Sequence, residues 1–285
     1  QGGVLEEKIS KMKTSHESDA SVRLWLERKG IRTGEFDPDF LKESHLREWI
    51  LPSLTAFKQQ GLIEDVIMEV SSGKEATVYS CLGTKKSGFP LLAAKVYRPR
   101  IFRSLSNDAL YREGRWVSQK SVQRAINRRS TMGHQFMFER WINDEYSVQK
   151  LLWNNGIDVP KPIVIEGNTI LMEYIGDENG PAPLLRKVKI PDRDMDRAFR
   201  RTITNIRNML GLNVVHGDLS AFNLLWWGGK AIIIDMAQAV DPRSNPNAEL
   251  FFKRDMAILG RYFKREEEAR EIADSLWLEW ETGRI

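Results

Sequence analysis

The stretch VVHGDLSAFNLLWWGGKAIIIDMAQAV, residues 214–240, constrains this chain more than any other. It sets His216, Asp218, Asn223 and Asp235 between short apolar runs. NVV precedes His216 and AIII precedes Asp235, so the pattern predicts a strand pair that presents both carboxylates at one edge. Asp, Asn and Ser also serve ordinary turns through local hydrogen bonds. A lone Asp followed five residues later by Asn would read that way. The second Asp, the hydrophobic flanks and matching elements upstream point to a site instead.

Carboxylate and amide oxygens are hard ligands suited to Mg2+, which keeps waters and takes substrate phosphates as further ligands. One carboxylate can hold metal while the other orients an attacking hydroxyl or water. Phosphoryl transfer needs that division of labour, because the protein mainly positions groups and neutralises charge. Upstream, Lys95 stands in LLAAKVY, where a buried lysine is costly unless paired. It is the candidate to hold the α/β phosphates of a nucleotide, with a Glu of the next helix as partner. Glu145 is the first choice and Glu139 the second. Between two strands lies SSGK, in which Gly73 lets backbone approach phosphate oxygens while Ser71, Ser72 and Lys74 bind them. Alone, this four-residue string is a hairpin turn.

The wider pattern is α+β in two lobes. A helical extension spans 1–61, with one helix after Asp19 and a second stretch broken near Pro52. Short β-branched runs with Gly/Ser turns follow from Leu62: LIEDVIMEV, ATVYSCLG and FPLLAAKVY. Helical spacing in FERWINDEYSVQKLLWNNG ends at Gly156, and IVIEG and TILMEYIG read as two strands. This β-rich lobe covers 62–173. The lobe of 174–285 is mainly helical, and the natural cleft lies near Glu173 to Gly176.

Charge is uneven. Residues 98–129 hold nine Lys/Arg against Asp108 and Glu113, more than the whole-chain net of +4. Such a stretch attracts polyanions, including nucleic acid, and otherwise is a solvated loop and helix face. No apolar run approaches the ~20 residues that cross a membrane. The single cysteine, Cys81, excludes an internal disulfide and suits a reducing cytoplasm. The start of the chain shows no basic-then-apolar leader pattern.

HGDLSAFN with IIIDMAQAV, SSGKEATVY, AAKVY and the connector EYIGDENGPAPLL resembles the RIO family of atypical protein kinases, its first subfamily most of all. The resemblance covers roughly 62–265. HGDLxxxN is shared with aminoglycoside and choline phosphotransferases; GKEAxVY and the Asp-x-x-Gln-x-Val segment are far more specific. The resemblance implies a protein-kinase-like fold and an ATP-dependent serine/threonine kinase and ATPase using Mg2+ or, in its place, Mn2+. It implies Asp218 as catalytic-loop aspartate, Asn223 as metal ligand, and Asp235 as metal ligand that transiently accepts phosphate. Lys95 and Glu145 would form an ion pair, and Ser71, Ser72, Gly73 and Lys74 would face the triphosphate. Met172 would border adenine, with the main chain of Glu173 and Ile175 hydrogen-bonding it. His216 would steady the loop. Segment 98–130 sits where the family carries a flexible loop, and it is the candidate contact for rRNA or the pre-ribosomal small subunit.

No Gly-x-Gly-x-x-Gly loop and no Ala-Pro-Glu segment is present. Little chain separates Asp235 from the next helix near Ala248, which leaves small room for a peptide-docking platform. That agrees with the family picture, in which ATP hydrolysis and autophosphorylation accompany small-subunit maturation in the cytoplasm. Two other readings remain open. One is a nucleotide-gated RNA-binding scaffold with vestigial catalysis. The other is a small-molecule phosphotransferase, which predicts an acidic pocket for a cationic substrate; Glu266, Glu267, Glu268 and Glu271 supply acids but cluster as a solvated helix face does.

Overall fold

The structure, a computed structural model, describes residues 44–98 and 131–285. The helix expected after Asp19 and all of the basic segment except Arg98 lie outside the described residues. Two compact units emerge: 1–101 with 162–181, and 102–161 with 182–285.

The first unit contains helix α1 (Ser44–Gln59) and strands β1 (Ile63–Ser72), β2 (Ala76–Gly83), β3 (Leu91–Tyr97), β4 (Pro162–Glu166) and β5 (Thr169–Glu173). These strands form an antiparallel sheet in the order β1-β2-β3-β5-β4. Alternation along β3 sorts its side chains between two faces. Leu92, Ala94 and Val96 join Tyr79, Cys81 and Leu171 in a core closed by Leu54 and Phe57 of α1. Lys95 is on the opposite side of the strand.

The expected break at Pro52 does not occur, because α1 runs through it. An interior proline costs about 3 kcal/mol. Ile50, Leu54 and Phe57 are at most 3% exposed, and burying each contributes about 1.5–3 kcal/mol. Packing therefore outweighs the lost hydrogen bond, and Pro52 is left on the exposed side. The expected strand TILMEYIG is also shorter than its sequence pattern. It stops at Glu173, and β6 (Gly176–Asp177) pairs separately with β7 (Gly180–Pro181).

The second unit contains α2 (Thr131–Asn154), α3 (Asp192–Gly211), β8 (Leu224–Trp227), β9 (Lys230–Ile233), α4 (Ala248–Phe263) and α5 (Glu266–Glu281), with 3-10 turns at Leu185–Lys187 and Met236–Gln238. Its core gathers Phe199, Ile206 and Leu210 of α3, Phe252 and Leu259 of α4, and Leu276 and Trp277 of α5. The close approach of α4 and α5 requires Gly260, where an added Cβ would lie 2.8 Å from the Ala269 Cβ.

One carboxylate fixes the end of β9. Asp158 accepts Arg201 Nε at 2.6 Å, Arg201 Nη2 at 2.9 Å and Asn205 Nδ2 at 2.9 Å. Its carbonyl accepts the Ile233 N–H at 2.8 Å. Burial alone would raise its carboxyl, but the Arg201 and Asn205 bonds hold it below the usual carboxylate range.

The ribbon in residues 214–240 differs from the expected one. Val214 and Val215 do not pair with AIII; Val215 makes an isolated bridge to Val240. The partner of AIII is LLWW, with Leu224 opposite Ile233 across the Gly228-Gly229 turn. Both glycines have positive φ, at 57° and 73°, which lets four-residue strands reverse at once. The close pairing within the chain is between neighbours, so Asn223 rather than Asp218 is brought to the end of the ribbon.

Candidate active site

In the second unit, the site is a loop clamped at both ends. Val215 and Val240 exchange backbone hydrogen bonds of 3.0 and 2.9 Å. At the far side, the Ile234 N–H donates to the Asn223 carbonyl at 3.0 Å. Asn223 therefore stands one residue before the ribbon and Asp235 two residues after it, at the same end.

His216 braces the interior. It is 3% exposed. The Asp218 N–H lies 3.3 Å from Nδ1, and a backbone N–H can only donate, so Nδ1 accepts. The hydrogen is then on Nε2, which donates to the Ile234 carbonyl at 3.1 Å. Asn223 Nδ2 donates to the Asp218 carbonyl at 2.8 Å and to its Oδ2 at 3.1 Å. The amide nitrogen is thereby committed to Asp218, and Oδ1 is the end left for a cation. Asp218 itself is exposed.

Asp235 has φ 68° and ψ 77°, a left-handed conformation that Asp tolerates better than most residues. The 3-10 turn after it is held from α2, whose Trp141 Nε1 donates to the Ala237 carbonyl at 3.1 Å. Trp141, Glu145 and Gln149 follow at four-residue steps, and all are buried. Glu145 thus stands one helical turn from the residue that holds the Asp235 turn.

Sequence reasoning missed Asp255. It sits on the apolar face of α4 with Phe251, Phe252, Met256 and Leu259, and is 4% exposed. Its Oδ2 accepts the Gly217 N–H at 2.8 Å. Burial pushes its carboxyl up to about 7, against the hydrogen bonds from Leu219 and Gly217 and the Arg254 charge; the Asp218 charge adds to the rise. Arg254 donates to the Gly217 carbonyl. The signal was available in the sequence: an acid at a helical position where every neighbour on the stripe is apolar.

In the first unit, register places Lys95 opposite Val78 and Ile170, and Ala93 opposite Met172. Directly opposed residues share a face. Lys95, half-buried, therefore stands on the face that carries the cluster of Ala93, Met172 and Tyr174 with Val70, Val78 and Leu91. Its Nζ lies 5.2 Å from the Tyr97 ring centroid. Glu173 ends β5 and Ile175 follows it, 9% exposed. Ser71 and Ser72 end β1 and are exposed, as are Gly73 and Lys74 in the turn. The Gly73 N–H donates to the Ala76 carbonyl at 2.9 Å. The structure adds Arg98 to this turn: it donates to the Ser72 hydroxyl and, at 2.7 Å, to Thr77 Oγ1.

Among the described residues no three His, Cys, Asp or Glu side chains gather into a metal cage. Mg2+ that shares substrate phosphates needs only one or two carboxylates with amide oxygen and water. The Asn223 and Asp235 oxygens fit that requirement.

A family model described as RIO domain matches residues 77–275. The RIO-type serine/threonine-protein kinase Rio1 of Haloferax volcanii is 30% identical over 257 residues, covering 89% of this chain and 81% of that one. Serine/threonine-protein kinase RIO1 of Caenorhabditis elegans is 28% identical over 213 residues, 72% of this chain; the chain spans only 38% of that relative's length. Among solved structures, the Rio2 kinase from Chaetomium thermophilum in an ADP/Mg2+-phosphoaspartate complex aligns with a TM-score of 0.55 and 22% identity, covering 77% of this chain and 65% of that one.

Proposed function

The chain belongs to the RIO domain family, and on that premise we propose that it is an ATP- and Mg2+-dependent atypical serine/threonine protein kinase and ATPase. The observation that carries this reading is the brace of His216 and Asp255. It fixes the backbone around an exposed Asp218 while the ribbon brings Asn223 and Asp235 to one end. Such a frame costs little reorganisation when charge develops during phosphoryl transfer.

Asp218 orients the attacking hydroxyl and accepts its proton. Asn223 Oδ1 and Asp235 are the metal ligands, and bound Mg2+, or Mn2+ in its place, would neutralise phosphate charge. Lys95 holds the α/β phosphates and Glu145 is its ion-pair partner. Ser71, Ser72, Gly73 and Lys74 face the triphosphate; Met172 borders adenine, whose edge bonds the main chain of Glu173 and Ile175. The apolar cluster beside Lys95 supports that placement.

The chain autophosphorylates, and the phosphoaspartate named for the Rio2 relative supports Asp235 as a transient phosphate acceptor here. Its setting is cytoplasmic maturation of the small ribosomal subunit, with segment 98–130 contacting rRNA. No helix of the described residues is long and apolar enough to cross a membrane.

The test is ADP release with Mg-ATP, together with intact-protein mass spectrometry, on wild type and Asp218→Ala. Metal-dependent release that the variant loses is the expected result. An added phosphate labile to hydroxylamine assigns the acceptor to a carboxylate such as Asp235. If both proteins bind ATP and neither turns it over, with or without RNA, the chain is a nucleotide-gated scaffold.

A further inference from the structure

Phe222, one residue before Asn223, is 61% exposed although Ala221 and Leu224 beside it are buried. The Arg186 guanidinium lies 4.6 Å from its ring centroid. Backbone contacts hold that pair in place. The Arg186 N–H donates to the Ala221 carbonyl at 3.1 Å, and the Trp226 N–H donates to the Pro183 carbonyl at 2.9 Å. From α4, the Tyr262 hydroxyl donates to the Leu185 carbonyl at 2.9 Å. Residues 182–191 include Arg186, Lys187 and Lys189 and no acid, and all three cations are exposed.

Aromatic side chains and arginine are both enriched at recognition surfaces. The backbone around Arg186 and Phe222 is pinned by these hydrogen bonds, so little backbone order is lost when a partner docks. Phe222 is the chain neighbour of Asn223, whose amide contacts Asp218 Oδ2 at 3.1 Å, so the exposed ring stands next in sequence to the residue that touches the carboxylate.

We propose that Arg186 and Phe222 form the acceptor-docking plate of this site, selecting polypeptide segments in which an acidic and an apolar side chain flank the accepting Ser or Thr. The assignment rests on the phosphotransfer reading above. Arg186, with Lys187 near it in the same turn, draws the acidic side chain; the open face of Phe222 takes the apolar one. Single-stranded RNA also uses cations and an aromatic ring, but the exposed Asp218 carboxylate, held by Asn223 next to Phe222, suits a hydroxyl donor such as Ser or Thr.

The test compares two Ser-centred peptides with Mg-ATP, alike except that Glu in one is Lys in the other, both with a flanking Leu. Wild type should prefer the acidic peptide. Arg186→Glu should move the ratio of kcat/KM toward the lysine peptide by about tenfold, since like charges brought together at an interface are strongly disfavoured. Arg186→Lys should keep most of the preference. Phe222→Ala should raise KM for both peptides and leave their ratio in place. The ratio is internal to each protein, so partial loss of active material does not disturb it. Equal ratios in wild type and Arg186→Glu overturn the plate. So does a Phe222→Ala protein that loses affinity for oligouridine while both peptide KM values stand. ADP release without peptide separates the two levels: wild type that releases none overturns the phosphotransfer reading and the plate with it. Wild type that hydrolyses ATP without acceptor preference overturns the plate alone.

Discussion

His216 hydrogen-bonds the carbonyl of Ile234 across 3.1 Å while its other ring nitrogen accepts the Asp218 N–H. One neutral imidazole thus joins the residue that leads into Asp235 to Asp218, the residue proposed to orient the attacking hydroxyl. Replacing it with Ala removes the acceptor for one backbone N–H and the donor for one carbonyl, both partly buried. The loss should be about 1–3 kcal/mol of stability, read as a lower midpoint in urea. ATP turnover should fall further than stability at temperatures where the variant is folded, because Asp218 and Asp235 lose their common brace.

Asp255 gives a dependence on pH whose sign follows from burial. Its carboxyl is raised to about 7 in the folded chain, from an ordinary value of 3.8. Between those values the native state binds a proton that the unfolded chain does not, so the contribution to stability is full below about 4 and is lost as pH rises through 7. The slope from this one group reaches at most about 1.4 kcal/mol per pH unit. Denaturation at a series of pH values should show Asp255→Asn with a flatter profile from pH 5 to 8 than wild type. A profile that does not change would mean that Asp255 is ionised throughout. Asp255→Ala, which strands the Gly217 N–H, should be the less stable variant at every pH.

The elements that chain-local chemistry determines were legible in the sequence. Helices 192–211, 248–263 and 266–281 follow from apolar spacing, and the sheet of the first unit follows from short β-branched runs between turns. Candidate ligands are named from carboxylates beside apolar runs, and the ribbon places two of the named residues, Asn223 and Asp235, at one end. Partner choice was not legible. NVV and LLWW are equally good mates for AIII by composition, and the Gly228-Gly229 turn decides for the nearer one. Pro52 misled for the same reason in reverse, since the burial of Leu54 and Phe57 is a tertiary quantity. Arg98 was counted with the basic segment that follows it, whereas its guanidinium folds back on Ser72 and Thr77.

Trp141 tests whether α2 and the Asp235 turn act together. Its Nε1–H donates to the Ala237 carbonyl, and Glu145 is one turn along the same helix. Trp141→Phe keeps an aromatic ring and removes only the donor. The expected cost is about 1–2 kcal/mol, because a buried carbonyl loses its partner. Kinetically, KM for Mg-ATP and kcat should both change if the bond aligns Asp235 with Glu145. A variant with lowered stability and unaltered kinetics would reduce Trp141 to a packing residue.

Asp235 is where backbone strain and the proposed metal site coincide, and two substitutions separate them. Asn has the same shape and also tolerates the left-handed backbone at φ 68°. Asp235→Asn should therefore melt within about 1 kcal/mol of wild type, while Mg2+-dependent ADP release falls by about 10²-fold or more with the loss of a charge that holds metal. Asp235→Ala removes the charge and also the short polar side chain that makes the left-handed backbone tolerable, leaving a conformation that costs an ordinary residue about 1–2 kcal/mol. It should be as inactive as the Asn variant but less stable. Turnover retained in Asp235→Asn would remove the carboxylate from the metal site. Equal melting of the Asn and Ala variants would instead show that the turn after β9, held by Trp141, sets this backbone whatever side chain it carries.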